Sequence, residues 1–149
     1  MRRTTLCYPV VHGKVLLAMK KRGFGAGKWN GPGGKVQDGE TIEQACRRET
    51  EEEVGVALGE LEDRGVVRFV FECRPEWDNE CRIFVARDVI GEPTETEEMR
   101  PAWYPIDGLP FAEMWEDDAI WLDGVLGGGT VDATFWFDAD GRMLRWEKR

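Results

Sequence analysis

Residues 41–55 read Thr41-Ile42-Glu43-Gln44-Ala45-Cys46-Arg47-Arg48-Glu49-Thr50-Glu51-Glu52-Glu53-Val54-Gly55. The pattern is helical from Thr41 to Val54, opened by a capping box, Thr41-x-x-Gln44, and stopped by Gly55. At about 100° per residue, Ile42, Ala45 and Cys46 mark an apolar face. Continued toward Gly55, that face meets Glu49, Glu52 and Glu53, spaced i, i+3, i+4 and so gathered on one patch. Gln44, Arg47 and Glu51 take the opposite side. Three carboxylates where a core face should run on repel one another and are costly to desolvate. A hard divalent cation, Mg²⁺ or Mn²⁺, removes that penalty because such ions take carboxylate oxygens. The alternative is a solvated acidic helix braced by i,i+4 pairs such as Arg48 with Glu52.

Upstream of this helix, residues 22–39 hold seven glycines (23, 25, 27, 31, 33, 34, 39), a backbone able to approach a ligand closely. Thr4–Val11 and Lys14–Lys20 read as a hairpin around His12-Gly13, and Pro9 confines the first of these strands to an edge or a bulge. Downstream, Val66–Cys73 reads as a strand with Val67, Phe69, Phe71 and Cys73 on one face. Cys81–Val89 and Ala102–Ile106 are further strands. Phe111–Leu126 reads as a helix ended by Gly127-Gly128-Gly129. Val131–Phe137 and Arg142–Glu147 form a hairpin over Asp138–Gly141. Strands and helices mix without strict βαβ alternation, so the expected class is α/β or α+β, a mixed sheet with helices packed on it. The length, 149 residues, suits one layered domain spanning 1–149.

Composition excludes several function classes. Lys plus Arg is 20 and Asp plus Glu is 29, a net charge of −9, which argues against coating a nucleic acid. A phosphorylated ligand then needs a divalent cation or a local basic cluster such as Lys20-Lys21-Arg22. No apolar run reaches the roughly 18 residues of a membrane span. Met1-Arg2-Arg3 is basic, but Thr4–Pro9 is too short and polar for a signal peptide. The cysteines at 7, 46, 73 and 81 show no CxxC spacing, and with a single histidine, His12, a Cys/His zinc site is not expected. Reduced thiols and a cytoplasmic location follow. Rival phosphate motifs fail: a P-loop would need glycine at Trp29 and Ser or Thr at Val36, and Gly23-x-Gly25 is followed by Lys28 where a dinucleotide motif needs glycine.

The full stretch Gly34-x5-Glu40-x7-Arg48-Glu49-x2-Glu52-Glu53-x-Gly55 resembles the Nudix box, G-x5-E-x7-R-E-U-x-E-E-x-G-U, where U is aliphatic. All seven fixed positions match and Val56 fits the last U, while Thr50 departs from the first. The resemblance implies the Nudix fold, a mixed β-sheet sandwiched between helices. It implies a Mg²⁺-dependent pyrophosphohydrolase, with Mn²⁺ as a substitute, acting on a nucleoside diphosphate linked to a further group. By position, Glu49, Glu52 and Glu53 would hold the metal, with Gly34 and Glu98 as further ligands. The Gly33-Gly34-Lys35 backbone would flank metal and phosphates, Arg48 would orient the carboxylates and Glu40 would tie the loop to the helix. The general base is left open, with Glu98 one candidate.

The resemblance extends past the box. Lys20–Gly31, Gly33–Gln37, Glu98–Pro101, Pro110-Phe111 and Met114-Trp115-x-Asp117-Asp118 are similar to the MutT-type branch of the family that hydrolyses oxidised purine nucleoside triphosphates in animals. That likeness implies that Asn30, Asp117 and Asp118 read the purine edge and that Trp115 stacks on the ring. Thr5, Phe24, Phe69, Phe71, Met99 and Trp121 would wall the pocket, with Lys20 near its mouth. The chemistry is coherent: guanine shows an acceptor at N7, oxidation at C8 makes that nitrogen a donor, and an Asp or Asn oxygen can accept from it. Two adjacent carboxylates also discourage double ionisation, so that one can stay protonated and donate. By the same likeness, such a pocket would take 8-oxo-dGTP, 2-hydroxy-dATP and 8-oxo-dATP.

Plainer readings stand beside these. Asp117 and Asp118 suit the N-cap and first turn of a helix, Phe69 and Phe71 suit a core face, and the tryptophans suit packing. Other Nudix substrates, namely dinucleotide polyphosphates, ADP-ribose or unmodified dNTPs, and a non-catalytic nucleotide-binding domain are the alternatives. The partner expected is a small-molecule nucleotide, with no nucleic acid, no membrane and a monomeric chain. Pro32 stands where the animal enzymes have an aromatic residue, and Glu72–Glu80 differs from them in sequence and length.

Overall fold

Side chains alternate along the first strand, and that alternation assigns a helix to each face of the sheet. The computed structural model describes residues 1–149. In β1 (Arg2–Val11), Cys7 packs on one side with Cys46, Leu58, Phe84 and Ala86, while Tyr8 packs on the other with Ile83, Val85, Trp121 and Phe135. The first group includes α1 (Ile42–Val54) and the second α2 (Asp118–Leu126). Both faces are apolar because both are covered.

β1 forms the expected hairpin with β2 (Lys14–Lys20), but only Val10 and Val11 pair across it. The rest of β1 runs parallel to β6 (Asn79–Ala86), from Arg2 beside Asn79 to Pro9 beside Ala86. Pro9 therefore sits in an inner strand, against the expectation of an edge or bulge. Parity explains it. The N–H groups of Thr5 and Cys7 point away from β6, to Gly34 O at 2.8 Å and Pro32 O at 2.7 Å. Pro9 has the same parity, so its missing donor faces the side where β1 and β2 part, and no ladder bond to β6 is lost.

The remaining strands are β3 (Trp29–Asn30), β4 (Ala57–Leu58), β5 (Leu61–Phe71), β7 (Val89–Ile90), β8 (Met99–Pro105), β9 (Val131–Phe137) and β10 (Met143–Lys148). The main sheet runs β10-β9-β5-β6-β1-β2-β3 with β8 also on β2, and β4 pairs with β7 apart from it. β1–β6 and β5–β9 are parallel and their neighbours antiparallel, so the sheet is mixed as expected. β5 starts earlier than the sequence suggested and ends at Phe71, leaving Cys73 exposed beyond it. Its polar start, Glu62-Asp63-Arg64-Gly65, hides a bulge: the register shifts between Asp63 and Val66, and a Cβ on Gly65 would fall 1.9 Å from Val131 O.

α1 carries both halves of its capping box, Gln44 N–H to Thr41 Oγ1 at 3.1 Å and Thr41 N–H to Gln44 Oε1 at 2.9 Å. Gly55 ends it in the left-handed region at φ 76°. Its buried stripe is Ala45, Cys46, Thr50 and Val54. Thr50, where an aliphatic residue is usual, is fully buried, and its hydroxyl donates to Cys46 O at 2.8 Å, so no polar group is left unpaired. The stretch 111–126 is not one helix. A 3₁₀ turn at Phe111–Glu113 gives way to extended Met114, and α2 begins only at Asp118. No helix is long and apolar enough to cross a membrane.

Candidate active site

Residues 31–35 lie along β1 as an extended ribbon, and this fixes what the glycines present to α1. Pro32 O and Gly34 O face β1, accepting from Cys7 and Thr5, and Val36 N–H donates to Arg3 O at 3.0 Å. By alternation, the Gly33 carbonyl points to the other side, and its N–H is directed at Glu53. The packing is tight: a Cβ on Gly33 would lie 1.9 Å from Thr5 O, and one on Gly34 would lie 2.3 Å from Glu49 Oε2. The expectation that Gly34 offers a carbonyl to a metal is corrected here. Its oxygen is held by Thr5, and the carbonyl on the α1 side belongs to Gly33.

Arg48 organises the carboxylates. Its guanidinium grips Glu40 bidentately, Nε to Oε2 at 2.7 Å and Nη2 to Oε1 at 3.0 Å, and also donates to Glu49 Oε1 at 2.7 Å and Lys35 O at 2.9 Å. Glu40 accepts from Gln37 N–H at 3.0 Å as well, which ties loop to helix. The Arg48 guanidinium holds the Glu40 carboxyl down at about 2. Glu53 is the opposite case: burial, then the Glu49 charge, push it up to about 8. Glu52 is exposed and leans on Arg48 Nη1 at 3.2 Å. The three helix carboxylates therefore do not close on one point. Their chemistry still suits a hard divalent cation, because carboxylate oxygens lie beside a glycine that has no room for a side chain.

Beyond Gly33 the end of the sheet opens into a cavity of about 350 Å³, lined by residues that include Thr5, Asn30, Phe69, Phe71, Trp115, Asp117 and Asp118. A recess of about 250 Å³ shares Lys20, Asn30, Gly33 and Trp115 with it, carries Phe24 and Met99 on its wall, and reaches Glu53. The cavity thus runs on through the recess to Glu53.

Three buried polar atoms of that lining have no partner: Thr5 Oγ1, Asp117 Oδ1 and Asp118 Oδ2. Asp117 and Asp118 are 1% and 2% exposed, and an unpaired buried polar group costs about 1–3 kcal/mol. Burial pushes Asp117 up to about 6, and burial together with the Asp117 charge holds Asp118 well above the usual carboxylate range. The capping alternative does not hold for Asp117. It makes no side-chain cap bond, and its Oδ2 accepts from Trp121 Nε1 at 2.8 Å.

Asn30 is pinned. Its Oδ1 accepts from Gly31 N–H at 2.9 Å and from the Tyr8 hydroxyl at 3.2 Å, so its amide N–H groups are what the cavity meets. A side-chain acceptor for a base N–H then comes from the aspartates or Thr5 Oγ1, not from Asn30.

Several expected residues lie elsewhere. Trp121 sits behind the aspartates, edge-on to Tyr8 at 5.9 Å, and is absent from the cavity wall. The exposed Lys35 turns only its backbone to Arg48. Glu98 is exposed and held by Arg22 Nε at 3.0 Å. Of the basic cluster only Lys20 reaches the site, its Nζ donating to Phe24 O at 2.9 Å, while Lys21 pairs with Glu95 and Arg22 with Glu98. Tyr8, Cys81, Asn79 and Phe137 were not singled out from the sequence, and the last three line the cavity. Trp77, on a 3₁₀ turn at Pro75–Trp77, packs on Phe24 at 4.6 Å and extends the aromatic rim.

The comparisons with known proteins agree with this geometry. A NUDIX domain family model matches residues 1–125. The chain is 55% identical over 118 residues to the oxidized purine nucleoside triphosphate hydrolase of Danio rerio, spanning 79% of this chain and 75% of that protein. It is 46% identical over 136 residues to the Mus musculus protein of the same description, spanning 91% and 86%. Among solved structures it is similar to a MutT protein from Bacillus halodurans, with a TM-score of 0.88 at 28% identity over 99% of this chain and 97% of the other. With the box on α1, the glycine ribbon on β1 and a family match over most of its length, the chain belongs to the Nudix family.

Proposed function

We propose that this chain is a Mg²⁺-dependent hydrolase that converts oxidised purine nucleoside triphosphates to the monophosphate and pyrophosphate. One observation carries the reading. Three unpaired buried oxygens, on Thr5, Asp117 and Asp118, line a cavity with Trp115 in its wall, and the cavity is continuous with Glu53. An apolar pocket with a few convergent polar groups is a ligand site, and its aromatic walls suit a base. The relatives at 55% and 46% identity carry a description that matches that ligand.

Divalent ions, when bound, neutralise phosphate charge and lower the pKa of the attacking water. Glu49, Glu52 and Glu53, with the Gly33 carbonyl, are the groups that would hold them, and Mn²⁺ suits the same donors. Arg48 keeps Glu49 oriented and anchors the loop through Glu40 and Lys35 O. Lys20, at the junction of cavity and recess, faces the phosphates. In the cavity, an oxidised purine brings a donor to position 7 where guanine has an acceptor, and a carboxylate oxygen of Asp117 or Asp118 accepts it. The other aspartate, kept protonated by burial and its neighbour, donates to a base acceptor. That division lets one pocket serve 8-oxoguanine and 2-hydroxyadenine. The same reading has a monomer working on the cytoplasmic nucleotide pool.

The test is pyrophosphate release with Mg²⁺ from 8-oxo-dGTP, 2-hydroxy-dATP, dGTP and ADP-ribose, with Glu53→Gln as control. Preference for the oxidised dNTPs, abolished in the variant, is expected. A flat profile, or one led by ADP-ribose, sinks the substrate assignment and leaves the family chemistry standing.

A further inference from the structure

Tyr8 is fully buried in an inner strand, and its hydroxyl has one protein partner, Asn30 Oδ1 at 3.2 Å. Gly31 N–H reaches the same oxygen at 2.9 Å. A backbone N–H can only donate, which settles which end of the amide it faces. With Oδ1 turned back to two donors, the amide nitrogen is left to the cavity. Rotating the amide by half a turn would set its N–H groups against the Gly31 donor and leave that donor unpaired. Tyr8 itself is held in place by the Trp121 ring, edge-on at 5.9 Å, and Trp121 donates to Asp117. Tyr8 and Trp121 thus stand behind the polar lining of the cavity, and each fixes one atom of a lining residue while leaving another free.

We propose that Tyr8 is a positioning residue for base recognition: its hydroxyl locks the Asn30 amide with both N–H groups toward the ligand, so that the pocket selects a base edge presenting an acceptor there. The inference rests on the oxidised-purine reading above. The phenol suits the role because its donor is permanent: burial, then the nearby Asp118 charge, raise it well above its ordinary pKa. Apart from Tyr8 and Gly31, no donor reaches the Asn30 oxygen.

Tyr8→Phe removes the hydroxyl and keeps the ring that packs on Trp121. The expected result with 8-oxo-dGTP is a KM raised by about 3- to 10-fold, the range for one neutral hydrogen bond, with kcat within about twofold because binding alone is weakened. In an Asn30→Ala background the same substitution should cost nothing further. An unchanged KM in the single variant, or an equal loss in both backgrounds, overturns the proposal, since a merely structural role would survive the removal of Asn30. The side-chain ¹⁵N resonance of Asn30 gives a reading without substrate. It should be one sharp amide pair in the parent and broadened by rotation in Tyr8→Phe; an identical signal in both refutes the lock. If the parent shows no preference for oxidised purines, the substrate reading fails and the Asn30 spectrum alone decides the lock. Tyr8→Leu serves for all of these measurements should Tyr8→Phe not fold.

Discussion

The Glu49 carboxylate rests directly on the Cα of Gly34, where a single added methyl would stand 2.3 Å from Oε2. Gly33, beside it, is equally tight but against backbone, its would-be Cβ 1.9 Å from Thr5 O. The two contacts should fail differently. Gly34→Ala displaces the end of a side chain, so the fold survives and the metal-binding face is disturbed. A loss on the order of 10–100-fold in activity is expected, with a higher Mg²⁺ requirement and a nearly unchanged Tm. Gly33→Ala forces the ribbon off β1 and should cost more than about 2 kcal/mol of stability. Thermal melts and Mg²⁺ titrations of both variants separate the two effects. Equal melting temperatures would show that the ribbon is not pinned as described.

Glu40 makes acid stability a readout of the Arg48 grip. Its folded pKa, about 2, lies below the ordinary 4.5, owing first to Arg48 and then to the Gln37 N–H. A depressed carboxyl favours the folded state above its unfolded pKa, and that contribution is lost as pH falls toward the folded value. The parent Tm should therefore fall between about pH 4.5 and pH 2 by more than that of Glu40→Gln. Glu40→Gln should melt lower at neutral pH and converge on the parent in acid. A constant gap between the two curves would mean that Glu40 gains nothing from its ionised form.

The legible parts of this protein are those where a local rule acts alone. The α1 boundaries follow from Thr41, Gln44 and Gly55, and the acidic patch from helical spacing, with no need of tertiary information. The misread parts are those where a partner far away in the chain decides. Pro9 is tolerated inside the sheet because its missing N–H faces the Gly31–Gly34 side of β1. The start of β5 is polar because Gly65 bulges to meet Val131. Asp117 has the sequence position of a cap, yet it is drawn to Trp121 and buried. Among the residues carried by the motif and the wider resemblance, Trp121, expected to wall the pocket, stands behind it instead, and Glu98, expected beside the metal, is taken by Arg22. Tyr8 had no signal at all: nothing in Cys7-Tyr8-Pro9 tells that its hydroxyl will meet Asn30.

Metal should stabilise the protein as well as activate it. The face shared by Glu49 and Glu53 carries like charges with little solvent, and burial with the Glu49 charge holds Glu53 up at about 8. A cation bound there relieves the repulsion, and any ligand of the folded state raises its stability by mass action, about 2.7 kcal/mol at a hundred times its Kd. Mg²⁺ should raise the parent Tm and EDTA should reverse it, with activity lost in parallel. Glu49→Gln and Glu53→Gln should melt without a Mg²⁺ response. A full Mg²⁺ shift in either variant would place the cation elsewhere.

The Asp117–Asp118 pair should show a conflict between function and stability that depends on pH. Both carboxyls are raised by burial, and Asp118 also by its neighbour. A carboxyl with a raised folded pKa binds more protons folded than unfolded, so stability falls as pH climbs from the unfolded value, near 3.8, through the folded one. Asp118→Asn keeps the shape and removes the charge. It should converge on the parent below about pH 3, where both carboxyls are largely protonated in either state, and gain on it as pH rises, reaching on the order of 1–3 kcal/mol at pH 8. The same substitution should lower kcat/KM for 8-oxo-dGTP, because it removes a group that can accept or donate according to its proton. Melts of both proteins from about pH 2.5 to 8, paired with kinetics, decide it. If the variant is less stable at pH 8, the pair is held by contacts that favour its charge, and burial of the two carboxyls is not what costs stability.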